Sequence, residues 1–553
     1  MTTGTDIVIT HPNSTQLAVP VPPDPMPSAM TIGAMLAEQA GRRPGALAVA
    51  MSDWSATYAE LDALATSLAS RIHRLGVVPG ERVAILFPNR REWFELFFGL
   101  ARLGAVQVPL NPYLKGEFLR HQLVDAGPAV VIVDEAGRRA VEALLPDLPS
   151  VRAVVTLDDR PDDASPMVRH VSELPDDPAF VAPDVLPEDL AGILYTSGTT
   201  GLAKGCMLSH GYYHRCGVVD QWVTQLGPED VFFCAMPLFH GGAQLKVLMP
   251  CLLAGAPAIY EPAFSPTSFM RRATEVGATI INGVGAMATM LLSAPASEWD
   301  RAHRLRVCNI APLSEDNQLA FRERYGTDVW AESYGLTECV PVFGTPPAGP
   351  RDRGGSGLPV FDLQVRLLDD GAEVADGEVG EICLRPRHRF AMFDGYWNRP
   401  EDTLEAFAGL WFHTGDFGRR RPSGAIAFVD RKKDAMRRRG ENVSSIEVET
   451  AIGKHPAVLE VAVHAVRSDH EEDEIKACLV PAPGASIEPG ELFAWLHGAL
   501  PYFAMPRYVE LLDEIPKNHL GRVLKHTLRS RGVTDRTWDF EALGLSVGRD
   551  ERR

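Results

Sequence analysis

The sequence is poor in cysteine, and none of its eight cysteines lies in a C-x-x-C pair or in a tight cluster with histidine. A structural zinc site or a disulfide framework is therefore disfavoured. Basic residues are also few, because 54 lysines and arginines face 72 acidic residues, giving a net charge of -18. That charge disfavours nonspecific nucleic-acid binding, and a phosphate-bearing ligand would need a local basic patch.

Long hydrophobic runs are absent as well. No apolar stretch reaches the ~18 residues that span a bilayer. The N-terminus lacks a basic segment followed by an apolar run, which is the pattern of a signal peptide. The sequence therefore predicts a soluble, cytoplasmic protein without a membrane span, with its thiols scattered and buried.

The chain is long enough for more than one hydrophobic core. Its 553 residues exceed the usual domain length of ~100–200 residues. Residues 1–27 are rich in Thr, Pro and Asp and predict a flexible leader. We predict a large domain over residues 28–429, a hinge over 430–433 and a mobile C-terminal domain over 434–545.

The predicted fold class is α/β, because short apolar segments alternate with helical patterns from about residue 30 to 340. Between Gly357 and Phe428, short strands broken by Gly, Pro and Asp predict a small β-barrel or antiparallel unit. A charged stretch begins at Asp430, and a small α+β domain is predicted after it. The predicted helices are Trp93–Leu103 and Ile446–Ile452, and the predicted strands are Val83–Phe87, Val130–Val133, Ala153–Leu157, Leu190–Leu194, Ala278–Ile281, Arg306–Ile310, Val458–Val466 and Ile475–Val480.

A loop of small hydroxyl residues and glycines follows the strand predicted at Leu190–Leu194. Such residues let backbone N–H groups approach phosphate oxygens closely. The loop is not a Walker A sequence, because Ala203 precedes its lysine and Gly205 follows it. A surface turn is the alternative. The candidate phosphate-binding residues are Thr196, Ser197, Gly198, Thr199, Thr200 and Lys204.

Further motifs follow this loop at Ser333–Glu338, at Trp411–Asp416 and at Asp430–Asp434 with Gly440–Val443. In this order they make the sequence resemble the adenylate-forming superfamily of acyl-CoA synthetases, peptide-synthetase adenylation domains and luciferases. The resemblance covers about residues 30–529. It implies that a carboxylate attacks the α-phosphate of ATP, after which the thiol of CoA attacks the acyl-adenylate. The implied cofactors are ATP or AMP, CoA and Mg²⁺.

The resemblance also implies roles for residues of the large domain. Glu338 offers hard carboxylate oxygens to Mg²⁺, and Thr337 hydrogen-bonds the α-phosphate. Tyr334 stacks on adenine, and Asp416 accepts the ribose hydroxyls, as carboxylates do in other nucleotide sites. The remaining predicted nucleotide contacts are Ser333, Gly335, Ala311 and Pro312.

The acid pocket is predicted from two further segments. His240 ends a segment, Met236–His240, that resembles the family's gate to the acid pocket, although a lone histidine is often structural. Gly283, Val284 and Gly285 resemble the strand that lines this pocket. Their small side chains favour a bulky hydrophobic carboxylic acid, or its acyl-adenylate, as the substrate.

The charged stretch resembles the family's hinge. By its position in the motif, Lys433 is the hinge residue, and Arg431 is predicted to contact ribose or phosphate. The basic run Arg437, Arg438 and Arg439, with Gly440, is predicted to meet CoA phosphates after the small domain rotates. A solvated basic face is the alternative for this run.

The sequence departs from the family pattern at one catalytic position, where Arg522 stands in place of the adenylation lysine. Arginine is a wide planar fork, whereas lysine is a compact point charge. Either Arg522, or a nearby Lys517 or Lys525, supports slow adenylation, or the enzyme accepts an acyl-adenylate made by a separate adenylating enzyme. The sequence favours the second interpretation and leaves a complete ATP-dependent carboxylic acid–CoA ligase as the alternative.

Three rival functions share this fold or its ligands. A luciferase-like monooxygenase would oxidise its adenylate, and a nucleotide sensor would only bind it. A peptide-synthetase adenylation module would transfer the acyl group to a carrier protein. The presence of Glu338, Asp416 and the hinge segment argues against a sensor.

Overall fold

The computed structural model describes residues 7–9, 17–19, 28–159, 164–196, 202–349, 351–369, 371–431, 435–438, 441–467, 473–516, 523 and 525–548. The chain divides into two compact units. The first comprises residues 1–110, 126–194 and 205–430, and the second comprises 111–125, 195–204 and 431–553. Within the described residues, no helix is both long and apolar enough to cross a membrane.

A seven-stranded sheet contains the apolar segments from Arg82 to Thr156. Four of its strands, Arg82–Leu86, Val106–Pro109, Val130–Val133 and Ala153–Thr156, are buried on both faces, which is why they are nearly continuous apolar runs. The strand predicted at Val130–Val133 has these same bounds. The pairs from Leu190–Thr196 onward are parallel. In spatial order the strands are Lys204–Ser209, Leu190–Thr196, Val106–Pro109, Arg82–Leu86, Val130–Val133, Ala153–Thr156 and Val168–His170.

A six-stranded sheet supports the candidate pocket. Its pairs are parallel apart from the hairpin of the last two strands, so the carboxyl ends of the parallel strands meet at one edge. In spatial order the strands are Val307–Ile310, Ile280–Gly283, Phe232–Cys234, Ala258–Tyr260, Leu47–Met51 and Trp54–Thr57.

The helices of the first unit begin and end at recognisable cap residues. Thr57 and Glu60 form a reciprocal capping box at the start of Tyr58–His73, which satisfies two free N–H groups of the first turn. Gly104 ends Glu92–Leu103 at φ 71°, a left-handed conformation that glycine adopts easily. The other helices are Ile32–Arg42, Glu135–Glu142, His210–Thr224, Gly241–Ala243, Met249–Ala254, Phe269–Glu275, Gly285–Ser293, Glu315–Tyr325 and Pro400–Ala406.

An antiparallel sheet occupies the region from 363 to 431, as the sequence predicted for an antiparallel unit. Its first three strand pairs are antiparallel. A separate hairpin pairs Ser333–Leu336 with Cys339–Gly344. In spatial order the strands of the sheet are Ala372–Glu373, Leu363–Asp369, Val379–Pro386, Phe412–Arg420 and Ile426–Arg431.

The second unit has the predicted α+β composition. Its four-stranded sheet has the order Val458–Arg467, Asp473–Pro481, Tyr508–Leu511 and Thr537–Asp539. Its helices are Gly116–Ala126, Ser445–Ile452, Pro489–Ala499 and Lys525–Arg531. Part of the charged stretch, which a solvated linker would leave irregular, forms a hairpin between Ala435–Arg438 and Glu441–Ser444. In the predicted leader, Ile7–Ile9 pairs with Leu17–Val19, and its other residues lie outside the described part of the chain.

Candidate active site

The turn that carries Thr337 and Glu338 is fixed from behind by one buried helix, His210–Thr224. The hydroxyl of Tyr212 donates to the carbonyl of Thr337 at 2.9 Å and accepts from the backbone N–H of Val340 at 2.8 Å. Tyr212 is fully buried, so loss of either hydrogen bond would leave a polar atom unsatisfied. The predicted motif therefore has a fixed backbone before any ligand binds.

The same helix also contributes a buried ion pair. Arg215 forms a bidentate contact with Asp362, with Nε–Oδ2 at 2.6 Å and Nη2–Oδ1 at 2.7 Å. Its Nη1 also donates to the carbonyl of Val340 at 2.5 Å. Both charged side chains are 0% exposed, where the loss of one partner would leave an uncompensated charge.

Glu338 is buried, with 7% of its surface exposed. Its Oε1 accepts a hydrogen bond from the hydroxyl of Tyr396 at 2.8 Å. Burial raises the pKa of Glu338 above its usual value, the Tyr396 hydrogen bond opposes that rise, and the charge of Asp416 adds to it. A carboxylate held in this way fits Mg²⁺, which takes one or two carboxylates and completes its shell with phosphate oxygens and water.

Tyr334 and Asp416, which lie in two different motifs, are in direct contact. The hydroxyl of Tyr334 donates to Oδ2 of Asp416 at 2.7 Å. The Tyr334 ring is stacked with Phe343 at a centroid distance of 5.1 Å and with Phe428 at 6.3 Å. The fold thus brings the residues predicted for adenine and for ribose to one place.

The Thr-Gly-Asp motif bulges out of the antiparallel sheet. Glu381 pairs with Phe417, and Cys383 pairs with His413. An advance of two residues along one strand is therefore matched by four residues along the other. Gly415 lies within this bulge at φ 72°, a conformation that favours glycine. Bulges redirect side chains at the point where they interrupt a ladder, and here the redirected side chain is Asp416.

Glu381, which sequence reasoning missed, holds this bulge. Its Oε1 accepts from the backbone N–H of Gly415 at 3.1 Å, and its Oε2 lies 3.0 Å from Nδ1 of His413. Cys383 Sγ lies 3.4 Å from the same nitrogen. The three side chains could hold a metal ion, but the direct contact of Glu381 with His413 explains their arrangement without one. No motif marked Glu381, because its partners are 32 and 34 residues away.

The predicted pocket segments meet at the carboxyl edge of the six-stranded sheet. Gly283 pairs with Ile310 on the neighbouring strand, and the backbone N–H of Ala311 points to the carbonyl of Gly283 at 3.4 Å. A Cβ atom on Gly285 would lie 2.1 Å from the carbonyl oxygen of Pro312. Gly285 is therefore required for close packing of these two segments, and the predicted acid-lining and adenine-lining residues are neighbours, with Val284 between the two glycines.

His240 precedes a continuous helical segment that comprises Gly241–Ala243, a π-helical turn over Gln244–Leu248 and Met249–Ala254. Its ring is half-buried and packs on Phe239 at 4.7 Å. In the π-helical turn, Nζ of Lys246 donates to Oγ of Ser333 at 2.8 Å. Sequence reasoning missed Lys246, because no motif contains it.

Two basic residues of the second unit are structural in the described arrangement. Arg438 is 3% exposed, donates to the carbonyl of Met505, and lies 2.8 Å from Oε2 of Glu474. The guanidinium is therefore turned into the unit in this arrangement, and its contact with CoA phosphates after rotation stays a prediction. Nζ of Lys525 forms an ion pair with Oε1 of Glu449 at 2.7 Å and donates to Oγ of Ser445 at 2.7 Å.

Other predicted residues of the second unit are only partly described. Thr196 and Lys204 are half-buried, and for Arg431 and Arg437 only the backbone is described. Their predicted roles stay predictions. The predicted residues outside the described part of the chain are Ser197, Gly198, Thr199, Thr200, Lys433, Arg439, Gly440, Lys517 and Arg522.

A parallel-sheet domain with converging nucleotide motifs, followed by an α+β unit, defines a class of nucleotide-activating enzymes. The chain belongs to the AMP-binding enzyme family, whose model matches residues 36–397, and the AMP-binding enzyme C-terminal domain matches residues 447–522. It is an acyl-CoA ligase of the adenylate-forming type.

Two CoA ligases and an amide bond synthetase are similar to this chain. The crotonobetaine/carnitine–CoA ligase of Salmonella agona (strain SL483) is 30% identical over 480 residues, which is 86% of this chain and 93% of that ligase. The structure of o-succinylbenzoate CoA synthetase from Bacillus subtilis superposes with a TM-score of 0.77 at 25% identity, covering 90% of this chain and 98% of that one. The amide bond synthetase McbA from Marinactinospora thermotolerans gives a TM-score of 0.80 at 25% identity, over 91% and 99%.

Proposed function

We propose that this ligase forms an acyl-CoA thioester from an acyl-adenylate and CoA, and that it adenylates free acids slowly or not at all. The observation that carries this proposal is Arg522, which occupies the position of the family's adenylation lysine. Two anions must approach each other when a carboxylate attacks ATP, so a positioned cation stabilises the transition state. A planar guanidinium does not reproduce the reach or the point charge of an ammonium group.

The residues of the first unit would bind the AMP moiety of the adenylate. Asp416, oriented by Tyr334 and by the bulge at Gly415, would accept the ribose hydroxyls. Thr337 would donate to the α-phosphate from a backbone that Tyr212 fixes. When bound, Mg²⁺ neutralises phosphate charge, and Glu338 is the residue that would hold it.

In the proposed reaction, the sulfur of CoA attacks the acyl carbonyl and AMP leaves with the electron pair of the broken C–O bond. The proton of the CoA thiol passes to solvent or to a basic group of the bound substrates. The preference for a bulky hydrophobic acyl group follows from the resemblance at residues 283–285, although Gly285 itself packs against Pro312. A separate adenylating enzyme would supply the acyl-adenylate.

A complete ATP-dependent carboxylic acid–CoA ligase is the second candidate. The observation that favours it is the assembled Glu338–Tyr396 pair, 2.8 Å apart. A metal-binding carboxylate serves the attack on ATP, where pyrophosphate must leave. An enzyme that only converts an existing adenylate to the thioester would depend less on this carboxylate.

A paired assay separates the two candidates. AMP release is measured with a panel of aromatic, fatty and polycyclic acids plus ATP and CoA, and CoA consumption is measured with the corresponding synthetic acyl-adenylates. The proposal expects turnover with at least one adenylate and turnover at least ~10²-fold slower with its free acid. Comparable rates from free acid and adenylate would establish the complete ligase instead.

The variant Arg522→Lys tests the residue itself. It should increase adenylation of the free acid by ~10²–10³-fold while leaving the adenylate-to-thioester rate unchanged. Arg536→Lys, at an exposed position, is the matched control and should change neither rate. If Arg522→Lys left adenylation at the level of the unmodified protein, Arg522 would not be the cause of slow adenylation.

A further inference from the structure

The gate segment, Met236–His240, is held by a buried side-chain amide that comes from the other sheet. Asn89 follows a strand of the seven-stranded sheet and is 8% exposed. Its Oδ1 accepts from the backbone N–H of Leu238 at 2.7 Å. Its Nδ2 donates to the carbonyls of Met236 and Glu261, each at 3.0 Å. The gate segment, which follows a strand of the six-stranded sheet, is therefore tied to both sheets.

A second buried amide holds the other backbone polar group of Leu238. Nε2 of Gln244 donates to the Leu238 carbonyl at 2.7 Å. Oε1 of Gln244 accepts from the hydroxyl of Tyr213 at 2.8 Å and from Nε2 of Gln107 at 3.3 Å. Gln107 lies on the strand Val106–Pro109 of the seven-stranded sheet. The N–H and the carbonyl of Leu238 are therefore both bound by side chains that the seven-stranded sheet supports.

The gate segment also contacts the strand that lines the candidate acid pocket. Nδ2 of Asn282 lies 3.4 Å from Sδ of Met236, and Asn282 directly precedes Gly283. His240 follows the clamped Leu238 by two positions. A shift of the backbone at Leu238 would therefore move the gate histidine relative to the pocket strand.

Burial makes this clamp rigid. Leu238 and Gln244 are both 0% exposed, so water cannot replace the hydrogen bonds of Leu238. An amide side chain suits the position because it carries a donor and an acceptor at once. Loss of one contact would leave a buried polar group unsatisfied, which costs more free energy than the hydrogen bond contributes. The backbone that leads into His240 therefore has one position.

We propose that Asn89 and Gln244 are positioning residues of the acyl pocket. By fixing Leu238 between the two sheets, they hold the gate histidine, His240, in register with the pocket strand and so keep room for a bulky acyl group. A small acyl group such as acetyl makes fewer contacts with the gate and depends on them less. This inference rests on the proposed thioester-forming activity and adds two residues to its acyl site.

The test measures how strongly the enzyme prefers a large acyl group. The full-length protein reacts with CoA and with one of two synthetic adenylates, that of the most active bulky acid of the panel and acetyl-adenylate. The measured quantity is the ratio of kcat/KM for the bulky adenylate to kcat/KM for acetyl-adenylate. Isothermal titration calorimetry gives the dissociation constant of AMP, and melting temperatures show whether each variant is folded.

Two variants remove the clamp from its two sides. Asn89→Leu leaves the Leu238 N–H without its acceptor, and Gln244→Met leaves the Leu238 carbonyl without its donor. Each should lower the ratio by ~10-fold or more, because a small displacement of a positioning group reduces the rate steeply. The dissociation constant of AMP should not change, because the predicted AMP-binding residues lie on other elements. Gln39→Leu, the control, removes a buried amide that donates to the carbonyl of Leu253 and should leave the ratio unchanged.

The possible outcomes separate the two proposals. If no adenylate is consumed with CoA, the proposed function fails and the inference with it. If adenylates are consumed but folded Asn89→Leu and Gln244→Met keep the ratio of the unmodified protein, the inference alone is overturned. If both variants unfold, Tyr213→Phe decides, because it removes only the hydroxyl that donates to Gln244. It should lower the ratio by ~3-fold, the effect of one net hydrogen bond, and an unchanged ratio would overturn the inference.

Discussion

The hydroxyl of Tyr334 donates a hydrogen bond to Oδ2 of Asp416 at 2.7 Å. The two residues are 82 positions apart and belong to different motifs, one predicted for adenine and one for ribose. Their contact means that the orientation of the carboxylate predicted to bind ribose depends on the residue predicted to stack on the base.

Substitution of Tyr334 by Phe removes this hydrogen bond and keeps the ring. A hydrogen bond to a charged group contributes ~1.5–3 kcal/mol, so we expect AMP to bind ~10-fold or more weakly by isothermal titration calorimetry. Tyr325→Phe is the control, because it removes a buried hydroxyl that donates to the carbonyl of Leu291, away from the site. Equal AMP affinities for the unmodified protein and Tyr334→Phe would contradict a positioning role.

Glu381 should position Asp416 through the backbone of Gly415. The variant Glu381→Gln lowers the acceptor strength at Gly415 and places an amide against His413. We expect KM for the acyl-adenylate to rise several-fold and kcat to change little, because the chemical step does not use Glu381 directly. Glu378→Gln, at an exposed position near the start of the same strand, should leave both constants unchanged; an equal effect from the two variants would rule out positioning.

Removal of one partner of the buried Arg215–Asp362 pair should strongly lower the free energy of unfolding. Arg215→Met leaves the Asp362 carboxylate buried without its partner, which typically costs ~3–5 kcal/mol. The double variant Arg215→Met, Asp362→Leu should recover part of that loss in urea denaturation. Arg271→Met removes an exposed helical pair with Glu275 and should cost no more than ~0.5 kcal/mol. A similar loss in the two single variants would contradict the burial argument.

The second unit should lose stability in acid through Glu510. Burial by itself would raise the pKa of Glu510, but Lys476, Thr534 and Arg531 together hold it below its ordinary value of 4.5. The stabilisation is therefore complete above the ordinary pKa and is lost as the pH falls through the lower folded-state pKa. Lys476→Met removes the main partner and narrows the gap between the folded and unfolded pKa of Glu510, so its melting temperature should be lower at neutral pH and should fall less on acidification below the ordinary pKa. Lys454→Met should follow the unmodified protein, and coincident pH profiles for all three would contradict this assignment.

Local patterns in the sequence determined much of the secondary structure and the family. The strand Val130–Val133 was predicted with its observed bounds, and Trp93–Leu103 lies within the helix Glu92–Leu103. Such segments are recognisable because burial on one or both faces imposes a period on neighbouring residues. The nucleotide motifs were recognisable for a similar reason, because each needs its residue types within a few positions of one another.

The tertiary structure decided how these pieces act together. Only the tertiary structure shows that Glu381 supports Gly415 or that Lys246 donates to Ser333. It also turned Arg438 into the second unit, although its basic run predicted a surface. Contacts between residues far apart in the chain depend on register, bulges and burial, and a one-residue shift changes all of them. The sequence thus determined the chemistry that is available, while the fold determined which groups hold the reacting ones in place.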